Sequence, residues 1–274
     1  VWVGTGSGMN LIDSSKGTIK SWNSGSILDI LEDRKGRIWV ANNGVLVFNE
    51  KENLFKTIKR NQPPMGNNAN GILEEESGEI WVSSDLGLSV IDSAEKTFKT
   101  IDNDLVKNAF CQEIIRDSRG LIWVGTYGNG IYMLDVDAGL ITQFSVKEGL
   151  SDRVVFTVIE KEGKIYVGTG KGISVISPIR QNATTDKSDQ KELSWTIKTY
   201  GKPQGLARVD HNPASMLTKD GRLWFGISDV LTIMHEPQDD TVVQVPQING
   251  IDLMGNPQYF VNRKWMQSKL KNID

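Results

Sequence analysis

Residues able to do chemistry are sparse in this chain of 274 residues. It holds two histidines, His211 and His235, and one cysteine, Cys111. A metal site needs three or four converging ligands, and no spacing of His, Cys and Asp here supplies them. His235 follows an apolar, strand-like run, where a lone imidazole reads as an ordinary surface residue. His211 stands in Arg208-Val209-Asp210-His211-Asn212-Pro213, just ahead of another such run, and is the more suggestive of the two. Cys111 lies inside an apolar segment and reads as a buried, inert thiol. The stretch Gly125-Thr126-Tyr127-Gly128-Asn129-Gly130 is glycine-rich but joins two strand-like runs, whereas a phosphate cradle joins a strand to a helix. Asp239-Asp240 reads as a turn and Glu74-Glu75-Glu76 as solvated charge at a strand end. No catalytic constellation, metal or cofactor is expected, and the chain reads as a binding protein rather than an enzyme.

The elements that would position any site are fixed by a repeat. Gly-x-hydrophobic-aromatic-Val/Phe-small recurs as Gly36-Arg37-Ile38-Trp39-Val40-Ala41, Gly78-Glu79-Ile80-Trp81-Val82-Ser83, Gly120-Leu121-Ile122-Trp123-Val124-Gly125, Gly163-Lys164-Ile165-Tyr166-Val167-Gly168 and Gly221-Arg222-Leu223-Trp224-Phe225-Gly226. The chain opens inside another copy at Trp2-Val3-Gly4. The aromatic anchors are 37, 42, 42, 43 and 58 residues apart. A period near 42 filled with β-branched residues and punctuated by Gly, Asp and Asn is one four-stranded blade. The expected fold is therefore all-β, a β-propeller of four-stranded antiparallel blades with six blade repeats visible, the first incomplete, as part of a seven-bladed ring.

One copy shows the strands. Phe110–Arg116 reads as the innermost strand A, Leu121–Gly125 as B, Ile131–Asp135 as C and Leu140–Val146 as the outer strand D, with turns at Asp117–Gly120, Tyr127–Gly130 and Ala138-Gly139. The repeated Trp reads as a wedge between adjacent blades. The small residue two positions later lets neighbouring backbones approach. Because the first copy starts at strand B, its strand A is expected from elsewhere, and a fragment of a longer protein is expected. The long step carries a polar stretch, residues 181–192, read as a mobile loop between strands C and D of the fifth blade. Domain limits are expected at 1–245 for the propeller and 246–274 for a linker entering a further domain.

Composition narrows the partners. The net charge is −3 with 31 basic and 34 acidic residues. There is no basic stripe, so nucleic acid is not an expected partner. Apolar runs are strand-length, so no segment here spans a membrane. A single cysteine excludes an internal disulfide and fixes no compartment.

In a propeller the D–A and B–C loops share one face around the channel mouth, and they carry the binding candidates. Asn70, Asn108, Arg153, Asp210, His211 and Asn212 are expected on D–A loops, and Tyr127 and Asn129 on a B–C loop. Amides, both charge signs and one aromatic ring suit a sugar, which takes bidentate hydrogen bonds and a stacking surface. Turn geometry explains Asn and Asp equally well. It does not explain Tyr127, Arg153 or His211.

The segments Ile30–Val40 and Ile114–Thr126 resemble the two-component regulator propeller repeat. Gly149-Leu150-Ser151-Asp152 is similar to that family's lead-in to a blade, Pro213–Gly226 to its final blade, and Pro246–Leu253 to the start of its following immunoglobulin-like domain. The resemblance implies the periplasmic sensor region of a hybrid two-component histidine kinase of Bacteroides type. It implies a homodimer formed through the propeller or the following domain, anchored only by a downstream membrane helix, and responding to an oligosaccharide or other small ligand. The alternatives are a propeller lyase of the streptogramin-lyase type and a protein-docking scaffold.

Overall fold

The computed structural model describes residues 1–60, 68–92, 94, 97–179, 194–206, 209, 211–227, 230–234, 250–253 and 256–259, with backbone alone for 59–60, 211–213, 250–253 and 256–259. The chain divides into two compact units, Val1–Met234 and His235–Asp274. In the second, the described strands Gly250–Leu253 and Asn256–Tyr259 form an antiparallel pair.

The first unit is a six-bladed β-propeller, and every described sheet in it is an antiparallel meander. Blade 1 has strands Trp2–Thr5, Gly8–Asp13 and Thr18–Trp22. Blade 2 has Asp29–Glu32, Ile38–Asn42, Gly44–Asn49 and Leu54–Arg60. Blade 3 has Ala69–Glu74, Ile80–Ser84, Gly87–Ile91 and Phe98–Thr100, and blade 4 has Cys111–Arg116, Ile122–Thr126, Ile131–Asp135 and Leu140–Phe144. Blade 5 has Val155–Lys161, Lys164–Thr169, Gly172–Pro178 and Trp195–Tyr200, and blade 6 has His211–Leu217, Leu223–Ile227 and Val230–Met234. The expected loop 181–192 and the outer strand expected near Val242 lie outside the described residues. Strand D of blade 4 ends at Phe144, two residues before its expected end. Ser145 stops it by capping the 3₁₀ turn Val146–Glu148 in a reciprocal capping box with Glu148.

The core lies between blades. Trp39 is buried against Ala69, Ile72 and Val82 of blade 3, and Trp81 against Cys111, Ile114 and Val124 of blade 4. Trp123 is buried against Val155, Val158 and Val167 of blade 5, and Tyr166 against Leu223 and Phe225 of blade 6. The wedge reading of the repeated aromatic therefore holds. The small residue two positions on is required as well, since a Cβ on Gly125 would lie 2.6 Å from Val155 Cγ1 of the next blade.

A carboxylate lock at the A–B turn was not legible as such. Asp33 accepts from Lys35 N, Arg37 N, Arg37 Nε and, at 2.8 Å, from Trp39 Nε1. Asp117 repeats this in blade 4, accepting from Leu121 N, from Arg119, and from Trp123 Nε1 at 2.9 Å. Burial alone would raise the Asp33 carboxyl, but the hydrogen bonds from Trp39 and Arg37 and the Arg37 charge hold it below the usual range. Blades 3 and 6 place Glu75 and Thr218 at that position, and Trp81 Nε1 and Trp224 Nε1 have no partner among the described residues.

Glu74-Glu75-Glu76 is not simply solvated charge. Glu75 and Glu76 bridge to Arg116 of blade 4 at 3.2 and 3.0 Å, and Glu74 accepts from Arg34 N of blade 2. The turns of three blades are tied edge to edge because the repeat sets these charges at the same height.

Candidate ligand site at the channel mouth

The inner strands are bulged where they meet the channel. Register shifts fall between Ala69 and Gly71, Cys111 and Glu113, and Val155 and Thr157. One position of the repeat, just after the bulge in blades 3, 4 and 5, faces the following blade. It sits opposite Ala41, Ser83, Gly125 and Gly168, and it is filled by Asp29, Gly71, Glu113 and Thr157 in turn. Asp29 accepts from Ile72 N of blade 3 at 2.9 Å, and Glu113 accepts from Val158 N of blade 5. Both carboxyls thus satisfy an inner-strand N–H that the sheet leaves unpaired.

Asp29, Gly71 and Glu113 line a cavity of about 370 Å³ on the axis, with Asn70, Gln112, Phe156 and Ser215 from blades 3, 4, 5 and 6. Burial raises Glu113 most, the Asp29 charge adds to it, and the Val158 hydrogen bond opposes both; the carboxyl is pushed up to about 8. Burial also raises Asp29, against its hydrogen bonds from Ile72 and Ile30. Two like charges in a narrow cavity resist joint ionisation.

Phe156, which lines the cavity, belongs to a group of rings. Tyr127, 56% exposed, is 5.8 Å from Phe110 and 6.3 Å from Phe156, centroid to centroid. Tyr127 N donates to Phe110 O, and Gly128 N and Gly130 N both donate to Arg153 O. The B–C loop of blade 4 is thereby fastened to the chain entering blade 5. Gly130 must be glycine, because its φ is 78° and a Cβ would lie 2.2 Å from Phe144 O.

The expected residues divide as follows. Tyr127 and Arg153 are exposed and adjacent at the rim. Asn70 is not on a D–A loop: it lies within strand A of blade 3, donates Nδ2 to Cys111 O at 2.7 Å, and lines the cavity. Asn129 is exposed, but its N–H is held by Thr126 Oγ1 and its side chain by the Tyr132 hydroxyl. Asn108 is exposed with φ 61°, a turn conformation that asparagine tolerates. Asp210 and the side chains of His211 and Asn212 lie outside the described residues, although the His211 backbone begins the inner strand of blade 6.

Asp29, Gln112, Glu113, Phe110 and Phe156 escaped the loop-based reading because they belong to inner strands. The available signal was the repeat itself, since Asp29 and Glu113 occupy one equivalent position in an apolar context. Cys111 is buried and its thiol is pushed up to about 12 by desolvation, as expected for an inert residue. Among the described residues no three His, Cys, Asp or Glu side chains converge as for a metal. Among the described residues no helix is long and apolar enough to cross a membrane.

Comparison with known proteins matches one copy of the repeat to a family model. Residues 21–44 match the family described as two component regulator propeller, covering the unit around Trp39. No curated protein sequence matches. Among solved structures, the chain is similar to the extracellular domain of the putative hybrid two component system BT4673 from B. thetaiotaomicron, with a TM-score of 0.65 and 19% identity, over 85% of this chain and 33% of that one. It is also similar to a streptogramin B lyase, with a TM-score of 0.60 and 16% identity, over 85% of this chain and 78% of that one. Virginiamycin B lyase from Staphylococcus aureus gives a TM-score of 0.60 and 15% identity, over 85% and 79%. At these identities the likeness is one of fold, and the chain spans about a third of the length of the two-component domain.

Proposed function

We propose that this propeller is the ligand-sensing part of an extracytoplasmic two-component sensor and takes an oligosaccharide fragment at the channel mouth. The resemblance of the repeat to two-component regulator propellers supports the sensor class. The observation that carries the ligand class is the ring group of Phe110, Tyr127 and Phe156, of which Phe156 lines the cavity with Asn70 and Gln112. Ring faces stack on pyranose C–H surfaces, and amides meet paired hydroxyls. Arg153 at the rim, with Asp210, His211 and Asn212 on the chain entering blade 6, would complete the contact. In the full sensor a homodimer would report binding to a histidine kinase, and the ligand would shift it only through unequal affinity for two arrangements.

Calorimetry of the 274-residue chain against neutral, acidic and amine-bearing oligosaccharides tests this. Tyr127→Ala should weaken the best ligand about tenfold, the scale of one ring stack. Unchanged affinity in Tyr127→Ala and Asn70→Ala would remove the channel mouth from the account. A lyase is the second reading, favoured by the coverage of the lyase folds. Turnover of a streptogramin by the chain would establish it.

A further inference from the structure

The cavity that Phe156 lines has a chemistry of its own. Of the residues that line it, Asp29 and Glu113 are the charged ones, and both are acids. The other elements facing them contribute Asn70 and Gly71 from blade 3, Gln112 from blade 4, Phe156 from blade 5, and Ala214 and Ser215 from blade 6. Nearby cations stand outside it: Arg153 is exposed on the rim, and Lys107 is paired with Asp102 at 2.6 Å.

Asp29 and Glu113 each accept backbone N–H groups, and carboxylate oxygens have further lone pairs to offer.

Two acids and the Phe156 ring in one cavity, with Tyr127 against that ring, together describe a receptor for a cation carried on an organic body. A strongly hydrated metal ion has no apolar body to pack on ring faces, whereas an organic ammonium gains from both the carboxyls and the rings. We infer that the channel binds an amine-bearing saccharide, its ammonium group seated between Glu113 and Asp29 and its sugar ring against Tyr127 and Phe156. The saccharide half of this inference rests on the function proposed above, and the amine half stands on the cavity.

The raised Glu113 carboxyl gives the binding a signature. At pH 6.5 an unliganded Glu113 is protonated, and an incoming ammonium favours the carboxylate, so binding releases up to one proton. Calorimetry at pH 6.5 in two buffers of different ionisation enthalpy reads that proton directly.

The test compares chitotriose with its N-acetylated form, with cellotriose, with 1,4-diaminobutane and with calcium chloride. The inference expects chitotriose to bind at least tenfold tighter than either neutral trisaccharide, with proton release. Glu113→Gln should erase both the preference and the proton release while leaving the circular dichroism spectrum unchanged. Equal binding of all three trisaccharides overturns the amine inference and leaves the saccharide reading standing. Binding of the diamine with silence from every sugar keeps the ammonium site and removes the saccharide. Displacement of chitotriose by millimolar calcium assigns the carboxyls to a metal ion and overturns the inference, as does silence from every probe.

Discussion

Replacing Glu113 by glutamine should stabilise this protein at alkaline pH and leave it nearly unchanged in acid. The Glu113 carboxyl titrates at about 8 in the folded chain against an ordinary 4.5. The folded state therefore holds its proton more tightly than the unfolded chain does. Its stability contribution is full below 4.5 and is lost as pH rises towards 8. At about 1.4 kcal/mol per tenfold change in proton affinity, that rise corresponds to about 5 kcal/mol. The carboxyl opens onto the channel cavity, and screening there reduces the figure to about 2 kcal/mol. Glutamine keeps the side-chain oxygen that meets Val158 N–H and removes the charge that repels Asp29. Urea unfolding followed by tryptophan fluorescence at pH 5 and pH 8.5 measures the effect. With a slope of about 3 kcal/mol per molar, the variant's midpoint should lie about 0.7 M above wild type at pH 8.5 and within error of it at pH 5. A variant less stable than wild type by the same amount at both pH values would refute the reasoning. It would mean that the carboxylate is a net clamp between blades 4 and 5 and not a strained charge.

Other outcomes follow from the same geometry. Asp117→Ala strips partners from Trp123 Nε1, Leu121 N and Arg119 at once and should cost about 3–5 kcal/mol in urea unfolding, whereas Thr218→Ala in blade 6, where the Trp224 indole has no such acceptor, should cost under about 1 kcal/mol. Gly130→Ala drives a Cβ into Phe144 O and should cost about 3 kcal/mol, while Gly139→Ala, at φ 67° in open space, should cost about 1 kcal/mol; thermal melts of the pair separate strain from collision. The buried Cys111 thiol should resist iodoacetamide at pH 8 in the native chain and react fully in 6 M guanidinium, read by mass spectrometry.

The blade architecture was readable because each repeat states it in residues of one purpose. Trp39, Trp81, Trp123 and Tyr166 mark strand B, and the glycine three residues earlier marks the turn, adopting φ between 74° and 88° at Gly36, Gly78, Gly120 and Gly163. Hydrophobic wedging is non-directional, so composition and period suffice to reveal it. The polar groups are another matter. Whether Asp33 caps its own turn or reaches Trp39 depends on a directional bond that spacing alone leaves open. Glu113 faces the channel just after a bulge that re-aims its inner strand, and a bulge leaves no mark in the hydrophobic pattern. The loop candidates fared unevenly for the same reason. Tyr127 reached the rim because the ring has no turn role to play, while Asn108 and Asn129 serve the backbone.

The central claim is that recognition occurs where the inner strands of blades 2 to 6 converge and not at the aromatic wedges. Backbone amide shifts during titration of the isotope-labelled chain with the best-binding saccharide test it most directly. The account predicts the largest shifts at Asn70, Glu113, Tyr127, Gly128, Arg153 and Phe156, all at one end of the channel. Shifts confined to the A–B turns around Asp33, Glu75 and Asp117 on the opposite face would contradict it.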